Sequence, residues 1–327
     1  MPPSQRTGVV RIERPGPPDV LKYVTVTLSP PGPGEVLIRQ ESIGVNFLDV
    51  FYRNGTFPAA SYPAPVGSEA SGTVESVGAG VSSLVVGDRV AYHLSQGAYA
   101  EMRLLKAETL FKLPDDISFD QAASVLVKGL TAHMLVKGSH PLKAGEVALI
   151  HAMTGGVGTL LSAWARSLGA TVIGTVGSAA KKELALGQGF QHVVDLQSED
   201  FADTVRTVTE GRGIDVVYDS VGGTTFQKST ALVREGGSSV SYGWASGLPV
   251  VDATLIEERK IHYAKPALLR YLPDRKDLEA AVSEIFALVR AGVLAVQSPI
   301  IHRLADAATT HADLESRKTT GSILLRP

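Results

Sequence analysis

Between residues 147 and 242 the chain alternates between short β-type runs and helical stretches, and no other feature constrains its fold as strongly. Strands read at 147–151, 171–176, 192–195, 214–218 and 238–242, with helices at 157–168, 181–187, 201–209 and 225–234 between them. Short β-α-β connections make neighbouring strands parallel, and a parallel sheet needs helices on both faces. The segment predicts a doubly wound α/β domain.

The first third reads differently. Strand-like runs at 8–12, 35–39, 70–77 and 88–92 are punctuated by turn formers such as Pro30-Pro31-Gly32-Pro33-Gly34, and several alternate apolar with polar side chains. That pattern fits a half-buried antiparallel sheet and a β-barrel-like domain. Beyond residue 260, a helix over 277–291 carries Leu278, Val282, Ile285, Phe286 and Val289 in one apolar stripe, and the tail 321–325 is strand-like. Returning the tail to the first domain's sheet makes the α/β domain an insertion. The expected division is 1–126 for the first part of the β-rich domain, 127–263 for the insertion and 264–327 for the return. Two domains suit a chain of 327 residues, which exceeds what a single core usually supports.

The 31 Lys and Arg nearly balance the 33 Asp and Glu, so no net field draws a polyanion or an anionic membrane. Nucleic-acid binding gains no support. No run of about 18 apolar residues occurs to span a bilayer, and the opening Met1-Pro2-Pro3-Ser4-Gln5-Arg6 lacks the apolar core of a signal peptide. The chain has no cysteine, which excludes disulfides and thiolate ligands and makes the cytoplasm the simplest location.

At the first strand-to-helix turn stands Met153-Thr154-Gly155-Gly156-Val157-Gly158, where a dinucleotide fingerprint G-x-G-x-x-G leads into its helix. The first glycine of that pattern is missing. Gly155 lets backbone approach a pyrophosphate, Gly158 lets the helix pack on the strand, and the helix N-terminus offers N–H groups to an anion. A tight turn with no ligand is the alternative; the β-α-β context favours the dinucleotide. About twenty residues on, NAD-binding domains place an acid on the ribose, but the stretch 174–182 has no Asp or Glu and carries Lys181 and Lys182. A 2′-phosphate meets positive charge there, so NADPH is expected over NADH. Either lysine could instead lie on a solvated helix face, Lys182 more readily than Lys181.

Further motifs follow in order along the chain. They include Ile43-Gly44-Val45-Asn46-Phe47-Leu48-Asp49 with Arg53 and Gly55, Gly67-Ser68-Glu69, Gly97-Ala98-Tyr99-Ala100 and Leu126-Val127-Lys128-Gly129-Leu130-Thr131-Ala132. Tyr218-Asp219-Ser220-Val221-Gly222, Tyr242-Gly243 with Ser246-Gly247, and Glu315-Ser316-Arg317 complete the set. Over essentially its whole length the sequence resembles the zinc-independent quinone oxidoreductases, the zeta-crystallin-like branch of the medium-chain dehydrogenase/reductase superfamily. The resemblance implies a GroES-like substrate domain from both chain ends around an inserted Rossmann domain, with the active site in the cleft between them.

By the same resemblance, Asn46, Asp49 and Phe51 lie near the nicotinamide, Phe51 where the family commonly has Tyr. Thr131, Gly155, Gly156 and Val157 run along the cofactor's middle, and Gly177, Ser178 and Lys181 sit at the adenosine phosphate. Val221, Tyr242, Gly243 and Ser246 face the nicotinamide side, Lys265 replaces an Arg before Pro, and Arg317 reaches the 2′-phosphate. Leu196 stands where the family has a Tyr near that phosphate. A homodimer or homotetramer is implied, paired through edge strands of the Rossmann sheets, with 238–242 as the edge.

Zinc-dependent relatives hold their metal with a Cys and with the His of a Gly-His-Glu run; this chain has Gly67-Ser68-Glu69 and no Cys, so no metal is expected. Without a Lewis acid, hydride must go to an acceptor that is already electrophilic. A quinone fits, because its reduction yields an aromatic product, and an alkenal or enone is the next choice. Asn46 and Asp49 with Lys128 form the expected catalytic set, Asn46 donating to a carbonyl oxygen and Lys128 supplying charge. A structural hydrogen bond accounts for Asn46 or Lys128 equally well. A third reading, an NADPH-binding structural or RNA-contacting protein, is disfavoured by the near-neutral charge.

Overall fold

The computed structural model describes residues 5–296 and 298–327. The N-terminal stretch forms β1 (Gln5–Ile12), β2 (Leu21–Leu28), β3 (Glu35–Val45), α1 (Phe47–Asn54), β4 (Ala64–Pro65) and β5 (Glu69–Val77). It continues through β6 (Arg89–Tyr92), β7 (Met102–Lys106) and β8 (Phe111–Lys112) into α2 (Phe119–His133). The alternating stretch gives β9 (Val147–Ile150), α3 (Gly156–Ser167), β10 (Thr171–Val176), α4 (Ala179–Gly187), β11 (His192–Asp195) and α5 (Phe201–Val208). Then come β12 (Ile214–Asp219), α6 (Phe226–Thr230), β13 (Val233–Ser241), α7 (Ala253–Glu258), β14 (His262–Ala264) and α8 (Arg275–Arg290). The chain closes with β15 (Ile300–Arg303), α9 (Ala307–Glu315) and β16 (Ile323–Arg326).

Two compact units result, one from the residues up to Val127 and from Val296 onward, the other from Lys128–Ala295. In the first, β3 is the central strand, paired antiparallel with β5, β7 and β16. Val36, Ile38 and Ile43 are fully buried along it and pack with Val74 and Val90. The tail does return to this sheet: Ile323 and Leu325 of β16 stand opposite Val45 and Ile43.

The second unit is a parallel sheet in the order β11-β10-β9-β12-β13-β14 among the described residues. Every residue of β9 and β12 is buried, as strands covered on both faces must be. The order runs outward from β9 in both directions, which makes the carboxyl ends of β9 and its neighbours the natural ligand crevice.

Three expectations are corrected here. The helix expected over 225–234 is only Phe226–Thr230, because β13 starts early: Val233 pairs with Ile214, and the register then jumps to Ser238 beside Val216. Gly236, at φ 68, turns the chain within that irregularity. Nor is 238–242 the sheet edge, since the short strand β14 covers it, with His262 beside Ser238 and Ala264 beside Val240. Finally, residues 264–295 fall in the second unit and not in the return. Helix α8 brings Ile285 onto Gly129, where an added Cβ would stand 3.0 Å from it, and Glu284 to His133 (3.3 Å) and Lys137 (3.0 Å).

Candidate active site

In the first unit the site grows from the start of α1. Asn46 is the N-cap, and the Asp49 carboxylate reaches back to accept its backbone N–H at 2.9 Å. The Asn46 amide donates to Glu69 Oε1 at 2.8 Å and lies 3.5 Å from Ser68 Oγ, while Glu69 Oε2 accepts the Val127 N–H at 2.8 Å. Ser68 donates to Asp49 Oδ1 at 2.8 Å, and the Tyr99 hydroxyl stands 3.2 Å from Asp49 Oδ2 and 2.9 Å from His311 Nε2. A carboxylate only accepts, so Tyr99 donates to Asp49 and His311 Nε2–H donates to Tyr99. All six side chains are buried. Burial, and then Asp49, hold the Tyr99 phenol well above its usual value; burial, and then the Arg53 guanidinium, push His311 down to about 3.

An aromatic group lies on α1 and just beyond it. Phe51, half-buried, has Phe47 at 5.9 Å and Phe57 at 5.6 Å between ring centroids. Arg317 also belongs to the first unit, exposed just beyond α9.

The second unit carries most of the other expected residues just past the carboxyl ends of its strands, and Lys128 and Thr131 on α2. After β9, His151 is buried between Thr175 Oγ1 (2.8 Å) and Ser229 Oγ (2.6 Å). The left-handed position of the turn falls on Ala152, at φ 52, and not on Met153. This accounts for the missing first glycine: Met153 keeps an ordinary φ and buries its thioether over Gly174 of β10, where no Cβ could fit. Gly158 is required, because a Cβ there would run into the Ala152 carbonyl. Gly155 caps α3, whose first-turn N–H groups, from Gly156 and Val157 onward, have no partner within the helix.

Beyond β10, an added Cβ on the exposed Gly177 would meet nothing, so open space lies beside Ser178, which caps α4 by accepting the Lys181 N–H. Both lysines are half-buried. Lys182 is held by Glu199 at 2.6 Å, and burial lowers the ammonium pKa of Lys181. Leu196 is exposed beyond β11, its N–H on the Val176 carbonyl. These features form a cradle that fits a dinucleotide: donors at a helix start, a side-chain-free wall and a cation at its end.

At β12 and β13 two loops are knitted together. Asp219 Oδ1 accepts the N–H groups of Val221 (2.7 Å) and Gly222 (2.9 Å), and Oδ2 takes the Thr225 hydroxyl at 2.7 Å. Ser246 donates to the Val221 carbonyl at 2.8 Å, and Gly243 lies so close to Ser220 that a Cβ would stand 2.9 Å from its carbonyl oxygen. Burial raises the Tyr242 phenol pKa. Lys265 is exposed, its ammonium 4.8 Å from the Trp244 ring centroid. On α2, Lys128 is 4% exposed and Thr131, three residues on, is half-buried on the same side. Tyr99, His311, Arg53 and Glu315 are polar groups of the first unit whose roles no local pattern in the sequence reveals, because their partners are distant in the chain.

Two family models match this chain: an alcohol dehydrogenase GroES-like domain over residues 32–115 and a zinc-binding dehydrogenase over 156–286. With the fold, they define the class as a medium-chain dehydrogenase/reductase. The quinone oxidoreductase of Pseudomonas aeruginosa is 41% identical over 95% of this chain and 97% of its own length. A 2-haloacrylate reductase from a Burkholderia species is 40% identical over 97% of this chain and 98% of its own. The structure of Escherichia coli quinone oxidoreductase complexed with NADPH superposes with a TM-score of 0.94 at 37% identity, covering 98% of this chain and all of that one, 100%. The chain belongs to the quinone oxidoreductase family of that superfamily.

Proposed function

We propose that this chain is an NADPH-dependent quinone reductase that works without a metal. The observation that carries the reading is the hydrogen-bonding of Ser68 to Asp49 and of Asn46 to Glu69. These pairings occupy a Gly-Ser-Glu run where zinc-dependent relatives place a ligand, and among the described residues no three His, Cys, Asp or Glu side chains cluster as a metal site needs. The likeness to quinone oxidoreductases over the full chain supports the same reading.

In this reading the second unit takes the cofactor's pyrophosphate on Gly155, Gly156 and Val157 and its adenosine phosphate on Gly177, Ser178 and Lys181. Thr131, Val221, Tyr242, Gly243, Ser246 and Lys265 line its remainder. By the family resemblance, Asn46, Asp49 and Phe51 serve the reacting end and Arg317 the 2′-phosphate. NADPH supplies a hydride when bound. The chain's part is to orient the acceptor and stabilise charge on its oxygen. One Asn46 N–H is committed to Glu69, and the other, with only the long 3.5 Å approach to Ser68, is available to a carbonyl oxygen. Buried Lys128 adds positive charge. The half-buried rings of Phe47, Phe51 and Phe57 suit a flat acceptor.

The chain acts as a homodimer through the exposed edge strand β14, in the cytoplasm, which suits a sequence without cysteine. Among the described residues no helix is long and apolar enough to cross a membrane. The test is NADPH consumption after chelator treatment, with 1,4-benzoquinone, a naphthoquinone and a small enone as acceptors. Quinone turnover that exceeds enone turnover and survives the chelator is expected. Absence of quinone turnover, or its loss with chelation, contradicts the reading; enone turnover alone favours the enone reductase.

A further inference from the structure

Helices α1 and α9 are cross-linked by two rungs, one turn apart on each helix. The first joins Asp49 to His311 through the Tyr99 hydroxyl. The second is a bidentate pair: Arg53 donates from its two terminal nitrogens to Glu315 at 2.6 and 2.9 Å and from Nε to the Gly16 carbonyl at 3.1 Å. Residues four apart share a helix face, so Asp49 with Arg53, and His311 with Glu315, present matched faces. The Arg53 side chain is 2% exposed and its buried charge is paired with Glu315, while the fork geometry fixes direction as well as distance.

Just past Glu315 the helix ends. Ser316 donates its N–H to the Ala312 carbonyl at 2.9 Å, and Arg317 leaves the helix in the left-handed conformation at φ 58, which non-glycine residues seldom adopt. Such a conformation persists only where its surroundings over-determine it. The bidentate pair lies two residues away and ties this end of the helix to α1, alongside the Ser316 hydroxyl on the Asp313 carbonyl at 2.7 Å and the Arg317 N–H on the Leu314 carbonyl at 3.3 Å.

We propose that Arg53 and Glu315 are specificity-determining positioning residues: by fixing where α9 ends they aim Arg317, so discrimination for a 2′-phosphate depends on an ion pair that does not itself touch the cofactor. The inference rests on the reading of Arg317 as the 2′-phosphate contact. Loosening the pair lets Arg317 relax out of its left-handed conformation. Contacts shared by NADPH and NADH stay in place.

Calorimetric titration of the full chain with 2′,5′-ADP and with 5′-AMP tests this in the wild type, Arg317→Ala, Glu315→Gln and Arg53→Lys. KM for NADPH and for NADH is measured alongside. Glu315→Gln keeps size and one hydrogen bond; Arg53→Lys keeps the charge but not the fork, so one variant serves if the other does not fold. The wild type is expected to favour 2′,5′-ADP, Arg317→Ala to lose that preference, and either pair variant to cut it about tenfold, within the usual range of indirect coupling. KM for NADPH then rises and KM for NADH does not follow. If Arg317→Ala loses the preference while both pair variants keep it, or if the pair variants weaken both nucleotides equally, the positioning role is overturned and the reading of Arg317 stands. If the wild type shows no preference, or Arg317→Ala retains it, the reading of Arg317 fails and the inference falls with it.

Discussion

His311 is fully buried, with Nε2 on Tyr99 and an Nδ1 that finds no partner among the described residues. It is held neutral by burial and by the neighbouring Arg53 charge, with its pKa pushed from 6.5 down to about 3. Below pH 6.5 the unfolded chain therefore takes up a proton that the folded chain refuses. The stability contributed by neutral His311 is complete above that pH and is lost as pH falls towards 3. Buried His151, lowered for the same reason of burial, acts in the same direction. A histidine held neutral throughout that range, as His311 is, steepens the fall by about 1.4 kcal/mol per pH unit. Urea unfolding between about pH 6.5 and 5, above the range where carboxylates titrate, should show His311→Gln with a shallower slope than wild type by about one histidine's share. Identical slopes would mean that His311 is protonated in the folded protein.

At the scale of elements, the glycine turn and the strands around it were legible because their signals are local. Spacing within 153–158 and apolar runs of four to six residues are complete in themselves. Helix α2 escaped because nine consecutive residues, Ala122 to Leu130, are buried, so its sequence carries no polar face and no visible helical period. Helix α8 was legible as a helix, yet its stripe says which face is buried and not what buries it. The partners of the α1–α9 ladder lie 212 and 262 residues apart, beyond any pattern of spacing. Strand β14 has three residues, too few to alternate, and missing it moved the expected edge to β13. As the proposed dimer edge it makes its own prediction. Antiparallel pairing about a two-fold axis centred on this strand sets Tyr263, 37% exposed, opposite its copy. Tyr263→Lys should therefore yield a species of one chain's mass in sedimentation, where wild type gives two. A monomeric wild type, or an intact dimer in the variant, contradicts this edge.

The whole molecule divides its tasks between two units with separate cores. One is a largely antiparallel β unit of two sheets, which the chain's own tail joins, and it builds a buried hydrogen-bond network at the start of α1. The other is a parallel sheet that presents a glycine turn and Lys181 at the carboxyl ends of its strands. The near-balance of charge leaves recognition to these local groups, not to a field over the whole surface. Lys181 and Arg317 are the proposed contacts of the 2′-phosphate, and the side chain of Leu196 has no hydroxyl to add to them. The most direct test of the central claim is kcat/KM for NADPH against NADH, with 1,4-benzoquinone as acceptor. Steady quinone reduction is expected, with NADPH preferred by at least about tenfold, the worth of one charge-assisted contact to phosphate. Equal use of NADH, or no benzoquinone reduction with either nucleotide, would contradict it.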